Sequence, residues 1–155
     1  TVEGDLGVYV NAKQVLENIE DPEFAARIAD LRAMPQSERE KEFTRRLCAK
    51  AVEIGARRHA GTLSDLYTPT GRKQIVRGKD LTAVRWVIGT GGALTRIEGG
   101  IEILRSICRG PEKHLLPRPD ATVLLDRNYL FSALGTLAQA YPAEAGRTLT
   151  RFVTT

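Results

Sequence analysis

The sequence predicts an α/β fold with a mainly helical subdomain over residues 1–61 and an α/β half-domain over residues 62–155. Three observations carry that reading. The first part repeats apolar residues at three- and four-residue steps behind helix-capping residues. The second part alternates short apolar runs with amphipathic segments. Within it "VIGTGGALTR", Val87 to Arg96, runs an apolar stretch through a glycine loop into a helical pattern.

In the first part Asn11 is placed to cap a short helix running through Ile19. Asp21 followed by Pro22 gives a cap and a first-position proline to "EFAARIADLRAM", whose Phe24, Ile28 and Leu31 share one face. Ser37 stands three residues before Glu40, the capping-box spacing in which each side chain satisfies the other end's free N–H. The long helix that follows carries Phe43, Leu47, Ala51 and Ile54 as an apolar stripe, with Arg45, Arg46, Lys50, Glu53 and Arg57 facing elsewhere. Its expected end is near His59 to Gly61, with Gly61 supplying a left-handed terminal turn.

In the second part "TLSDLYTPTGRKQIVRG" reads as two strands joined by the turn "TPTG", where Pro69 pre-sets φ and Gly71 relieves the turn. Then come a strand in "AVRWVIG", a short helix in "GIEILRSIC", a strand in "ATVLLD" and a helix in "NYLFSALGTLAQA". Strand–helix–strand order implies parallel pairing through a right-handed crossover. Neither apolar strand shows a clear period of two, which predicts helices on both faces of the sheet. The proline-rich stretch "RGPEKHLLPRP", Arg109 to Pro119, reads as a surface connection. There is no internal repeat and no low-complexity tract.

With 155 residues the chain is sized for one domain or two small lobes. Its 42% apolar and 27% charged residues are those of a globular protein, not a disordered one. The 23 basic residues are dispersed among 19 acids, so the net charge of +4 and pI near 9.3 form no stripe with the few aromatics, and nucleic acid is not an expected partner. Cys48 and Cys108 show neither CxxC nor zinc-ligand spacing and read as buried free thiols of a reducing compartment. No run is long enough to span a membrane and no leader pattern opens the sequence, so the expected location is cytoplasmic and away from membranes. The start at Thr1, without methionine or a leading strand, raises the expectation that the chain is part of a longer protein.

Gly89, Gly91 and Gly92 let backbone approach a ligand, although a glycine loop also serves tight turning alone. Ligands of open α/β sheets bind at the carboxyl ends of strands, where the "GTGG" turn and Asp126 both fall. Two common phosphate motifs fail on specific residues. The dinucleotide fingerprint needs a third glycine where Leu94 stands, and the NTPase phosphate loop needs Gly-Lys-Ser/Thr where Gly92 precedes Ala93 and Leu94. Asp126 is read as the cap of the following helix.

"IGTGGALTR" resembles the adenosine motif of the actin-like ATPase superfamily, in which a strand ends in glycines that floor the adenosine site and a helix with a nearby Arg follows. "NYLFSALGTLA" is similar to that superfamily's closing helix, whose small-residue face packs tightly near the site. "TVEGDLGVYVNAKQVLENI" resembles the segment by which chaperone ATPases cross into their helical subdomain. Taken with "RHAG" and "GKDLT", these segments resemble the C-terminal part of the MutL family associated with adenosylcobalamin-dependent glutamate mutase, over nearly the whole chain.

That resemblance implies the C-terminal lobe of an actin-like, ribonuclease H-like ATPase with a helical subdomain. The protein would act as a repair or reactivating chaperone for a B12-dependent mutase subunit, with ATP and Mg²⁺ bound in the full-length molecule. Gly89, Thr90, Gly91 and Gly92 would line the adenosine site, Arg96 would lie over the adenine or ribose, and Gly7 would approach the sugar. Lys50, Arg57 and Arg58 fall roughly where chaperone ATPases place polar groups against adenosine, without matching residue for residue. Neither phosphate loop nor a catalytic acid is found, so no residue here is assigned a catalytic or metal-binding role, and the segment alone is not expected to hydrolyse ATP. A fragment of a small-molecule kinase of the same superfamily is the alternative reading. A stand-alone nucleotide- or methyl-donor-binding domain is a third. Oligomeric state and the identity of the mutase are not legible.

Overall fold

The structure, a computed structural model, describes residues 3–111 and 113–153, without the side chains of the last two. Thr1 and Val2 of the "TVEGDLG" segment therefore lie outside the described residues, as does Glu112 of the proline-rich connection. Helices α1 (Ala12–Leu16), α2 (Pro22–Ala26) and α3 (Glu38–His59) form the first part, with a 3₁₀ turn at Arg27–Asp30. Strands β1 (Thr62–Thr68) and β2 (Gly71–Arg77) follow, then β3 (Trp86–Gly89), α4 (Gly92–Arg96), α5 (Gly100–Arg105), β4 (Thr122–Leu125), α6 (Leu130–Leu137) and α7 (Pro142–Val153). The fold is mixed α/β.

The capping box forms as expected: Glu40 N–H donates to Ser37 Oγ at 3.3 Å, and the Glu40 carboxylate accepts from Ser37 N–H at 3.2 Å. Asp21 caps α2 by accepting from Phe24 N–H at 2.9 Å, with Pro22 at the first helical position. That helix is shorter than the sequence predicts, tightening into the 3₁₀ turn after one and a half turns, so Phe24 is buried while Ile28 is 37% exposed. Asn11 does not cap α1; its side-chain Nδ2 donates instead to Gly4 O at 2.7 Å, tying down the preceding loop.

Gly61 also serves differently from expectation. It is not left-handed, and a Cβ there would sit 2.6 Å from Arg77 O and 2.8 Å from the Gly78 carbonyl carbon. Its N–H donates to Lys79 O at 2.6 Å, so the glycine lets the chain pass the end of β2 at backbone contact. The β1–β2 hairpin is antiparallel, closing on Thr68 opposite Gly71.

The second sheet pairs β3 with β4 in parallel, as strand–helix–strand order predicts, with Gly89 opposite Leu125. Among the described residues the outer face is only partly covered, open along β3 and half-buried at Leu124 of β4. Burial alternates along β3: Val87 and Gly89 point inward, while Trp86 and Ile88 are 58% and 42% exposed. The inner face packs on Leu94, Ile103, Leu104 and, from α3, Cys48. A second core joins Val15, Phe24, Phe43, Leu47 and Ala51. Helix α7 is an element the sequence reading omitted; Pro142 at its start is the signal that marks it.

Candidate functional site

Helix α3 turns its first two turns toward the carboxyl end of β3. Between them lies a cleft of about 520 Å³. One wall is Gly92, Ala93 and Arg96 of the glycine turn and α4; the other is Glu38, Lys41 and Thr44 of α3. Tyr9 and Met34, 51% and 68% exposed, add apolar surface to its lining.

The turn itself is held from three directions. Gly91, at φ +94°, has open space where a Cβ would stand, and its carbonyl accepts from Leu94 N–H, Thr95 N–H and Thr95 Oγ1 at 2.9–3.1 Å. Asp126 N–H donates to Gly89 O at 2.8 Å, locking the ends of β3 and β4 together. The buried Asp126 carboxylate accepts from Leu130 N–H at 2.7 Å and Phe131 N–H at 3.1 Å. It caps α6, as the sequence reading prefers. Tyr129 adopts φ 55°, unusual for a residue with a side chain, and sets its hydroxyl 3.5 Å from Thr95 Oγ1 and from the position of a Cβ on Gly92.

The predicted site residues separate into four groups. Gly92 and Arg96 line the cleft, and Arg96 has no ion-pair partner among the described residues. Thr90 and Gly91 form the turn beside it. Gly89 is buried, and a Cβ on it would meet Leu104 and Leu94 side chains at 2.5 Å, so its role in the fold is packing. Gly7 abuts Asn11, with a notional Cβ 3.2 Å from Asn11 N; its neighbours Val8 and Tyr9 reach the cleft instead.

Lys50, Arg57 and Arg58 lie outside this cleft. Lys50 and Arg57 pair with Glu53 at 3.3 and 2.8 Å, and Arg58 pairs with Asp5 at 2.7 Å and Glu3 at 3.0 Å. The polar groups that α3 brings to the cleft are Glu38, Lys41 and Thr44, in its first two turns; Arg32, Gln36 and Glu98 also line it. Lys41 binds Glu38 at 2.7 Å, and that carboxylate raises the ammonium above its ordinary pKa. Thr44 is 4% exposed, and its Oγ1 is buried with no hydrogen-bond partner. A buried hydroxyl of that kind costs about 1–3 kcal/mol until something bonds it. No sequence motif marks it.

The closing helix differs from the resemblance. A Cβ on Gly135 would meet nothing within 4 Å, and Ala133, Gly135 and Leu137 are exposed.

The chain is thus a mixed α/β protein whose glycine turn at the end of a parallel strand faces the start of a long helix across a partly apolar cleft. The profile of the MutL protein family matches residues 1–153, and the chain belongs to that family. Protein MutL of Clostridium tetanomorphum is similar to it at 32% identity over 170 aligned residues, covering 99% of this chain and 37% of that protein. The chain therefore spans well under half the length of that relative. No solved structure matches it.

Proposed function

We propose that this chain supplies the adenosine side of an ATP cleft in an actin-like ATPase, its α/β part forming the C-terminal lobe and its helices the attached subdomain. The full-length protein then works as a reactivating chaperone for an adenosylcobalamin-dependent mutase. Nucleotide-driven closure would move the helical part against the mutase and promote exchange of damaged cofactor. The mutase association rests on family membership alone.

The observation that carries the nucleotide reading is the cleft lined by Gly92, Arg96 and Thr44, whose hydroxyl is buried and unpartnered. The donor set fits an adenosine: a flat guanidinium for the purine face, apolar surface from Tyr9 and Met34, a hydroxyl and a carboxylate for polar edges. The exposed Trp86 and Ile88 face suits packing by further elements of the full-length protein. No group of three or more His, Cys, Asp or Glu among the described residues is arranged to hold a metal ion. Bound ATP would bring phosphates and metal toward residues outside this chain. What these residues do is bind and orient the nucleoside.

The test is ATP affinity of the full-length protein by calorimetry. Arg96→Ala removes a stacking contact of about 0.5–2 kcal/mol and should weaken binding about two- to thirty-fold. Unchanged affinity in that variant would overturn the assignment.

A further inference from the structure

A second cavity lies far from the nucleotide cleft, against the C-terminal half of α3. It has a volume of about 260 Å³ and is walled by Glu53, Arg57, Ser106, Arg109, Lys113 and His114 among others. Lys41 and Arg57 are sixteen residues apart on one helix, so the two sites are separated by about 24 Å along its axis.

Three cations converge there. Arg57 is held by Glu53 at 2.8 Å, which leaves part of its guanidinium for another acceptor. Arg109 donates Nε to Ser106 O at 2.5 Å, fixing the guanidinium plane while its terminal nitrogens have no carboxylate partner among the described residues. Lys113 has no side-chain partner among the described residues. The Ser106 hydroxyl is spent on Ile103 O at 2.6 Å, and Glu53 is engaged by both Arg57 and Lys50. Among the described residues, positive charge therefore exceeds negative charge in a small concave space.

The decisive group is His114. Its Nδ1 is buried and has no hydrogen-bond partner, although the ring lines the cavity. The backbone on either side is fixed by pairing with the hairpin: His114 bridges Thr62, Leu63 N–H donates to Lys113 O at 3.1 Å, and Leu115 N–H donates to Gly61 O at 2.8 Å. A buried ring nitrogen on a fixed backbone beside three cations lacks a hydrogen-bond partner, and in its protonated tautomer an anion's oxygen would supply one. A tetrahedral oxyanion supplies several acceptors at once and matches guanidinium forks, an ammonium and an imidazole N–H together.

We propose that this cavity binds a phosphate group, held by Arg57, Arg109 and Lys113 and by the Nδ1–H of His114. Nothing in this site depends on the nucleotide reading. The phosphate comes either as the free ion or as the ester of a small molecule.

The experiment is NMR titration of the ¹⁵N-labelled 155-residue chain with inorganic phosphate, glycerol 3-phosphate and, at matched ionic strength, acetate. Saturable shifts at residues 106–116 with both phosphates, and none with acetate, are expected. Tighter inorganic phosphate identifies the free ion, and tighter glycerol 3-phosphate identifies an ester. Lys113→Gln and Arg109→Gln should each weaken binding at least tenfold, with Arg96→Ala at the other cleft leaving it unchanged. His114→Ala should weaken it several-fold and His114→Asn, whose Nδ2 can donate from a similar position, should recover most of the loss. Linear, unsaturated shifts, equal binding of acetate, or full affinity in both charge variants with native amide spectra would overturn the proposal.

Discussion

Thr44 shows how little of a site is written in residue identity. Within a helix pattern a threonine is ordinary; what distinguishes this one is a hydroxyl buried without a partner on the wall of a cleft. Thr44→Val keeps the shape and removes the orphaned group. It should therefore raise the stability of the nucleotide-free protein by about 1–3 kcal/mol in urea denaturation while lowering ATP affinity. Lost stability would mean that the hydroxyl is already satisfied, and the nucleotide reading would lose its main support. Cys48 makes a parallel case for burial. The sequence reading of buried free thiols is met at both cysteines, and burial pushes the Cys48 thiol up to about 11. At pH 8 its thiolate population should be depressed enough to slow alkylation about 100-fold or more relative to the denatured chain, as mass spectrometry of iodoacetamide-treated protein would show. Denatured-like labelling would mean that this part of the core opens readily.

Among the elements, those with stereochemical punctuation were legible: the capping box of α3, the Asp21–Pro22 start of α2, the hairpin turn and the parallel β3–β4 pair. Where tertiary contact decides, pattern failed. The length of α2, the role of Gly61 and the open face of β3 depend on neighbours that spacing does not reveal. The clamp between α2 and α3 illustrates the difference. Phe24 and Phe43 pack with ring centroids 4.6 Å apart, Arg46 lies 3.9 Å over the Phe24 ring, and the same Arg46 binds Asp21 at 2.9 Å. The Asp21 carboxyl is held below its ordinary pKa first by Phe24 N–H and then by Arg46. Glu40 is held low by the N–H groups of Gln36 and Ser37, and Asp30 by Arg39 and Arg27. Lowered native pKa values add stability above the unfolded values, and that contribution disappears as pH falls through the native ones. The urea midpoint should thus drop steeply below about pH 4. Glu40→Gln, which cannot titrate, should flatten that drop, and an identical pH profile would assign the acid sensitivity elsewhere.

At the scale of the whole molecule, α3 is shared property. Phe43, Leu47 and Ala51 belong to the core beneath α1 and α2, while Cys48 on the same helix belongs to the core beneath the β3–β4 sheet. Val8 packs against both. The helix that positions Glu38, Lys41 and Thr44 over the glycine turn is therefore gripped from two sides, which is what keeps the cleft a fixed distance across without a covalent link. The sequence contained both stripes, but only the apolar face at Phe43, Leu47, Ala51 and Ile54 was legible, because Cys48 reads as an isolated thiol until Leu94, Ile103 and Leu104 are seen around it. A shared helix couples the two cores energetically. Phe43→Ala, at a fully buried position, should cost about 3–5 kcal/mol. If the cores unfold together, that loss must appear in the second one as well. The denaturant midpoint for labelling Cys108, buried in the second part beyond α5, should shift as far as the midpoint for loss of helical circular dichroism. A Cys108 midpoint that stays put while the helical signal shifts would show two independently melting units, and the cleft between them would then be a hinge rather than a fixed wall.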